Sequence, residues 1–211
     1  MSSVRSSNAE LFSDCDDLGV IESDCWKLLA AAPHDRDCGW RLPVLATFGE
    51  QVPRQRTVVL RAVDPESRQI FCHTDVRSPK VKVIRDHPLV SWLFYDASRQ
   101  VQLQLVGEAT VQTAEPETDW LWQQEPAASL QGYLAPYPPG TVRPHCETNL
   151  PADMPTKMSS REELAHGREN FAVICSTIKN LEALILRPNG NRRVVYSYTG
   201  SGVASADWLA P

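Results

Sequence analysis

Over much of the chain, apolar positions alternate with polar ones or gather in short runs rich in Val, Leu, Phe and Thr. The stretches 41–48, 56–64, 68–74, 89–96 and 101–113 are of this kind, and they end at turn formers such as Asp64-Pro65-Glu66-Ser67. That pattern predicts strands of an antiparallel sheet. Three further strands are expected at 171–178, 181–187 and 192–199. Helical spacing is confined to short pieces. Residues 22–32 place Cys25, Leu28 and Leu29 on one side together with Ile21, with Ser23 or Asp24 as the cap. A second helix should begin at Ser78-Pro79, a cap followed by proline at the first helical position, and stop at Pro88. A third, at 115–125, carries Trp120 and Trp122; two positions apart they cannot share a face, so one of them is expected to pack inside. A short helix is expected near 160–168. Between these last two, 126–158 is rich in proline and turn formers, and so long an irregular stretch is commonly functional or mobile.

Strands joined mostly by turns, with few helices between them, give a mainly β fold: an antiparallel barrel or sandwich with several flanking helices, α+β in class. Residues 1–20 are polar and acidic and are expected to form a flexible arm, leaving 21–211 as a single domain. The last residues, Asp207 to Pro211, are expected either to dock as a tail or to fray.

Composition narrows the function. A formal net charge of -5 disfavours nucleic acid and anionic membrane surfaces as partners. Between Arg54 and Arg85, however, eight basic residues face three acidic ones, which suits a small anionic ligand or, more blandly, a solvated basic face. Six cysteines are scattered without a C-x-x-C pair or regular histidine spacing, so no metal site is expected. No apolar run approaches the roughly 18 residues of a membrane span, and the chain reads as cytoplasmic with reduced thiols. Neither G-x-G-x-x-G nor a Walker loop occurs, which excludes those modes of nucleotide binding.

The segment from Arg56 to Lys80 concentrates the candidate chemistry. It offers Arg56 and Arg61 on a strand, His73 and Thr74 at the end of the next, and Ser78 and Lys80 where a helix starts. Unpaired amides at a helix N-terminus, a hydroxyl and a lysine suit a phosphate, and arginine adds bidentate bonds to its oxygens. Strict alternation would nevertheless send Arg56 and Arg61 to opposite faces, so a bulge or the barrel mouth must reunite them.

The run Arg56-Thr-Val-Val-Leu-Arg61, then His73-Thr74-Asp75, Arg77-Ser78-Pro79-Lys80, Tyr95, Gln102 and Gly107, resembles the FMN-binding core of the pyridoxamine 5'-phosphate oxidase family and its related flavin-binding proteins. The resemblance implies a homodimeric split β-barrel with FMN at the subunit interface. It places Arg56, Arg61, Ser78 and Lys80 around the phosphate, counts Thr57, Val58 and Val59 among the cofactor contacts, sets His73 and Thr74 along the flavin, and gives Gln102 and Arg193 to the ring. On the substrate side it implies Tyr133 and Thr141. Tyr137, Asn189 and Asn191 stand where the oxidases have charged or imidazole side chains, and asparagine cannot replace arginine's charge.

These residues lead to an FMN-dependent oxidoreductase acting on an unidentified small molecule. An FMN carrier or sensor without a dedicated substrate is the alternative, and a flavin-free interaction module is a third.

Overall fold

The computed structural model describes residues 16–49, 52–151, 160–200 and 202–211. Most of the proposed arm, 1–15, lies outside the described residues, as do 152–158 of the irregular segment. Helix α1 spans Leu18–Ala31 and starts four positions before the expected Glu22. The cap is Asp17, whose carboxylate accepts from the amides of Gly19 and Val20, and not Ser23 or Asp24. A capping carboxylate satisfies amide donors that the hydrophobic pattern does not reveal.

Nine strands among the described residues form one antiparallel sheet: β1 Val44–Phe48, β2 Pro53–Thr57, β3 Leu60–Asp64, β4 Gln69–Asp75, β5 Leu89–Asp96, β6 Val101–Gln112, β7 Phe171–Ile185, β8 Arg192–Thr199 and β9 Gly202–Leu209. Their order is β2-β1-β5-β6-β7-β4-β3, with β8 and β9 branching from β7. The branch splits the barrel. One edge of β7 runs along β6; the other serves β4 through residues 171–177 and β8 through residues 180–185.

Three expectations are corrected. The single strand at 56–64 is two strands, broken at Val58 and Val59. The strands at 171–178 and 181–187 are one, β7, carrying a bulge at Lys179, where the partner register passes from Val106↔Asn180 to Gly107↔Ile178. The terminal residues neither fray nor merely dock: Gly202–Leu209 is a strand paired along β8.

The core joins α1 to the barrel interior. Ile21, Cys25, Trp26 and Leu29 are buried against Leu45, Trp92, Phe94, Leu103, Leu181 and Tyr196. Burial of this kind stabilises by roughly 1.5–3 kcal/mol per large side chain. Polar tips at this interface are paired, with Trp26 Nε1 donating to Tyr198 Oη at 3.1 Å and Tyr196 Oη donating to the Leu18 carbonyl at 2.7 Å. A smaller cluster, Trp122, Leu130, Leu164, Phe171 and Val173, anchors α3 (Pro116–Gln124), α4 (Ala127–Leu130) and α5 (Arg161–Ala165) over the end of β7. Trp122 is the inward partner of the tryptophan pair, and Trp120 is 59% exposed. Part of the stretch expected to be irregular is thus helical, because Leu130 and Tyr133 have this cluster to pack on.

Candidate functional site

The break between β2 and β3 resolves the problem posed by Arg56 and Arg61. Arg56 lies on β2 opposite Leu45 of β1; Arg61 lies on β3 at a bulge, where the register with β4 passes from Leu60↔Cys72 to Ala62↔Phe71. The chain turns through Val58 and Val59, so the two guanidinium groups do not obey the alternation of one strand. Arg56, Thr57, Val58, Val59, Arg61, His73, Thr74 and Lys80 all line one open cavity of about 420 Å³, to which Ser129, Gly132, Tyr133 and Pro139 also contribute. That volume falls in the usual range for small-molecule sites, about 300–1,000 Å³.

Each cation in this cavity is held by its surroundings. Arg56 donates from Nη1 to the Leu45 carbonyl at 3.1 Å and to Thr47 Oγ1 at 3.0 Å. Lys80 follows the first residue of α2 (Pro79–Asp86) and donates from Nζ to Ser78 Oγ at 2.9 Å. Ser78 occupies the cap position, but its hydroxyl caps no amide of α2; it orients the lysine. Burial, and then Arg54, lower the pKa of Arg56; burial, and then the charge of Arg56, lower that of Lys80. Both shifts record cations crowded in a partly desolvated place, a condition a bound anion relieves.

Arg77 belongs to the same sequence motif and plays a different part. Its guanidinium clasps Asp75 through Nε and Nη2 and donates from Nη1 to the Ala135 carbonyl at 2.9 Å. It ties the end of β4 to the 126–135 segment and neutralises Asp75, the acidic residue in the cavity wall.

His73 sits at the inner edge with its side chain almost wholly buried, its ring edge-on to Phe171 at 4.8 Å. Burial, reinforced by the Arg61 charge, pushes its pKa down to about 3, so the ring is neutral at neutral pH. Glu125, the residue that ends α3, reaches both neighbours: Oε2 lies 3.2 Å from Arg61 Nη1 and Oε1 lies 3.4 Å from His73 Nδ1. His73 Nε2 and Arg61 Nε are buried without a hydrogen-bond partner among the described residues. Buried polar atoms of this kind are uncommon in folded proteins and call for a ligand or water.

Cys72, the neighbour of His73, points into the core with its thiol pushed up to about 12 by burial, which excludes it as a nucleophile at neutral pH. Tyr133 lines the cavity while its ring packs against Trp122 and Phe171. Thr141 does not reach the cavity. It donates to the Pro138 carbonyl at 2.7 Å and lines a separate surface hollow with Tyr137 and Arg143.

Gln102 and Arg193 do not line the cavity either, but they are brought near one another. Gln102 on β6 is paired with Leu184 on β7, and Leu184 with Arg193 on β8, so the two project from the same face of the sheet, two strands apart. Arg193 donates from Nε to Glu182 Oε1 at 2.9 Å on that face. Tyr95 is paired with Gln102 on its other side, and the row continues a largely exposed apolar face through Leu93, Leu89 and Phe48.

Sequence reasoning missed Glu125, Ser129, Gly132 and Pro139. Nothing in the local pattern marks a glutamate before proline as facing an arginine from another strand; only the packing of α3 on β4 shows it.

Residues 26–113 match the family model described as pyridoxamine 5'-phosphate oxidase, FMN-binding domain. No curated protein matches the chain by sequence. Among solved structures, a pyridoxamine 5'-phosphate oxidase-related, FMN-binding protein from Nostoc punctiforme superposes with a TM-score of 0.67 at 21% identity, covering 90% of this chain and 94% of that one. PhzG from Burkholderia lata, solved in complex with tetrahydrophenazine-1-carboxylic acid, gives 0.62 at 16% identity over 92% of both chains. A protein related to general stress protein 26 from Clostridium acetobutylicum gives 0.52 at 13% identity, covering 84% of this chain and 94% of its own. The fold is the antiparallel split β-barrel with flanking helices. The stretch that matches that family model holds Arg56, Arg61, His73 and Lys80. Among the described residues, no helix is long and apolar enough to cross a membrane.

Proposed function

We propose that the protein is an FMN-dependent oxidoreductase acting on a small organic molecule. The observation that carries this reading is the convergence of Arg56, Arg61 and Lys80, from two strands and a helix start, on one cavity whose buried arginine and histidine nitrogens lack partners. Those residues fit FMN. Arg56 and Lys80 would hold its phosphate, with Ser78 orienting the lysine; Thr57, Val58, Val59 and Thr74 would lie along it; and His73 offers a neutral ring whose Nε2 can accept a hydrogen bond. When bound, FMN supplies two-electron redox chemistry that side chains cannot perform alone.

Gln102 and Arg193 enter this reading through a second copy of the chain. They share a sheet face with Leu93 and Tyr95, and an exposed apolar strand face of this kind suits a two-fold contact. In such a homodimer each cavity would receive ring contacts from the partner's face. Tyr133 would border the substrate, whereas Thr141, outside the cavity, is left without a role there.

The absorption spectrum of the protein as isolated tests the cofactor. A flavin spectrum, with FMN identified after release by denaturation, is the expected result. Colourless protein that takes up no added FMN would overturn the reading. Anaerobic reduction of the bound flavin by candidate amines, alcohols and nicotinamide nucleotides then separates an enzyme from a carrier.

A further inference from the structure

Two members of the basic run between Arg54 and Arg85 have no part in the cavity. Arg56, Arg61 and Lys80 line it, Arg77 is occupied by Asp75, and Arg68 lies over the Tyr198 ring. Arg54 from β2 and Lys82 from α2 instead meet in a second groove, of about 560 Å³. Arg56 and Lys80 line both hollows, so the two adjoin at the place where a phosphate would be held. The chain also passes from one to the other, with Pro139 in the cavity and Gly140 in the groove.

The lining of the groove is cationic. Arg54, Arg56, Lys80 and Lys82 stand against one carboxylate among the described residues, Asp86, and that one is paired with Lys82. Arg54 and Arg56 lie two positions apart on β2 and so project from the same face of the strand. No carboxylate pairs with Arg54 among the described residues. After burial, the Arg54 charge is what lowers the Arg56 pKa, so the two guanidinium groups are close enough to repel. A single phosphate held between Arg56 and Lys80 would leave Arg54 and Lys82 facing an open hollow. The groove is large enough for a ligand portion of its own, within the range of about 300–1,000 Å³ for small-molecule sites, and Val52 and Val83 give it apolar surface.

We infer that this groove is the subsite for a second phosphate carried by the flavin itself, so that the protein takes the dinucleotide FAD as well as FMN. The first phosphate lies between Arg56 and Lys80, the second meets Arg54 and Lys82, and the nucleoside runs along Val52 and Val83. FAD and FMN carry similar total charge; FAD spreads it over two phosphorus atoms, as the groove and the cavity spread their cations. Arginine suits the outer position because its planar fork both pairs with phosphate oxygens and stacks on a base. The inference rests on the adjoining cavity being the flavin phosphate site.

The test titrates riboflavin, FMN and FAD into the full chain freed of flavin, with binding followed by calorimetry. FAD should bind at least as tightly as FMN, and riboflavin more weakly than either. Arg54→Gln, at an exposed position on an edge strand, should weaken FAD about tenfold and FMN about threefold or less. Lys82→Gln, exposed on α2, should act in the same sense. AMP titrated into FMN-loaded protein should bind far more weakly than FAD binds the free protein, because only the tether supplies a high effective concentration. FAD binding more weakly than FMN, equal losses of FMN and FAD in Arg54→Gln protein, or AMP binding FMN-loaded protein as tightly as FAD binds the free protein would each overturn the proposal. Riboflavin binding as tightly as FMN, or no uptake of FMN, would instead remove the phosphate reading of the cavity, so the two failures are told apart on the same samples.

Discussion

Arg56 and Lys80, one on β2 and the other at the start of α2, line the same two adjoining cavities. They reach this position from unrelated segments, and each has its pKa lowered by burial. If this pair holds the flavin phosphate, Arg56→Ala and Lys80→Ala should each weaken FMN binding by about tenfold to a hundredfold, as loss of a charge-assisted bond worth about 1.5–3 kcal/mol requires. Quenching of FMN fluorescence on titration measures this. Arg56→Lys should recover only part of the loss, because lysine cannot keep the bonds to the Leu45 carbonyl and Thr47 while offering a planar fork to the ligand.

Lys80 also predicts a pH dependence. Its folded pKa lies below the ordinary value of 10.5, so the unfolded chain binds more protons between the two, and the cost of burying the ammonium fades as pH rises through that window. Phosphate attraction fades with the same charge. FMN affinity should therefore fall on the alkaline side before free lysine would titrate, and Lys80→Arg should move that fall to higher pH. Dissociation constants measured across the alkaline range decide it.

His73 acts at the other end of the scale. With its pKa depressed from 6.5 to about 3, the folded ring resists protonation that the unfolded ring accepts. The depressed pKa costs no stability above pH 6.5; below it the unfolded chain takes up a proton that the fold refuses, so stability declines as pH falls toward 3, with a slope approaching about 1.4 kcal/mol per pH unit. Urea unfolding of wild type and His73→Phe, compared from neutral to acid pH, should show a shallower decline in the variant.

Gly107 is required by the backbone opposite. A Cβ built there would sit 2.2 Å from the Thr177 carbonyl oxygen and 2.9 Å from Ile178 Cα, beside the bulge at Lys179. Neither atom is the end of a flexible side chain, so Gly107→Ala must displace β6 from β7. A loss of about 1–3 kcal/mol is expected, read from the urea midpoint.

The strand face that carries Gln102 gives a last prediction. Leu93 and Tyr95 are exposed there while Trp92 and Phe94 fill the core on the opposite side. Leu93→Glu should leave the fold intact, shift a dimer to monomer in sedimentation, and reduce FMN retention along with it. Retention of FMN by a monomeric variant would remove the partner's face from the site.

The sequence by itself determined the class of the fold and picked out, within one stretch of chain, most of the residues that line the cavity. Period-two runs such as 89–96 coincide with β5, because a strand that buries one face shows its alternation wherever it is read. Arg56, Arg61, His73, Thr74, Ser78 and Lys80 lie within one stretch of chain, and the start of α2 is marked by Ser78-Pro79.

Tertiary structure alone decided what depends on contacts between distant segments. It broke 56–64 into two strands, letting Arg56 and Arg61 share a cavity that alternation along one strand would deny them. It set Glu125 against Arg61 and His73, aligned Gln102 with Arg193 across β7, and left Thr141 outside the cavity. Periodicity records which face of an element is buried but not what lies across from it. Partners are fixed by register and by the packing of helices on the sheet, and those are properties of the whole folded chain.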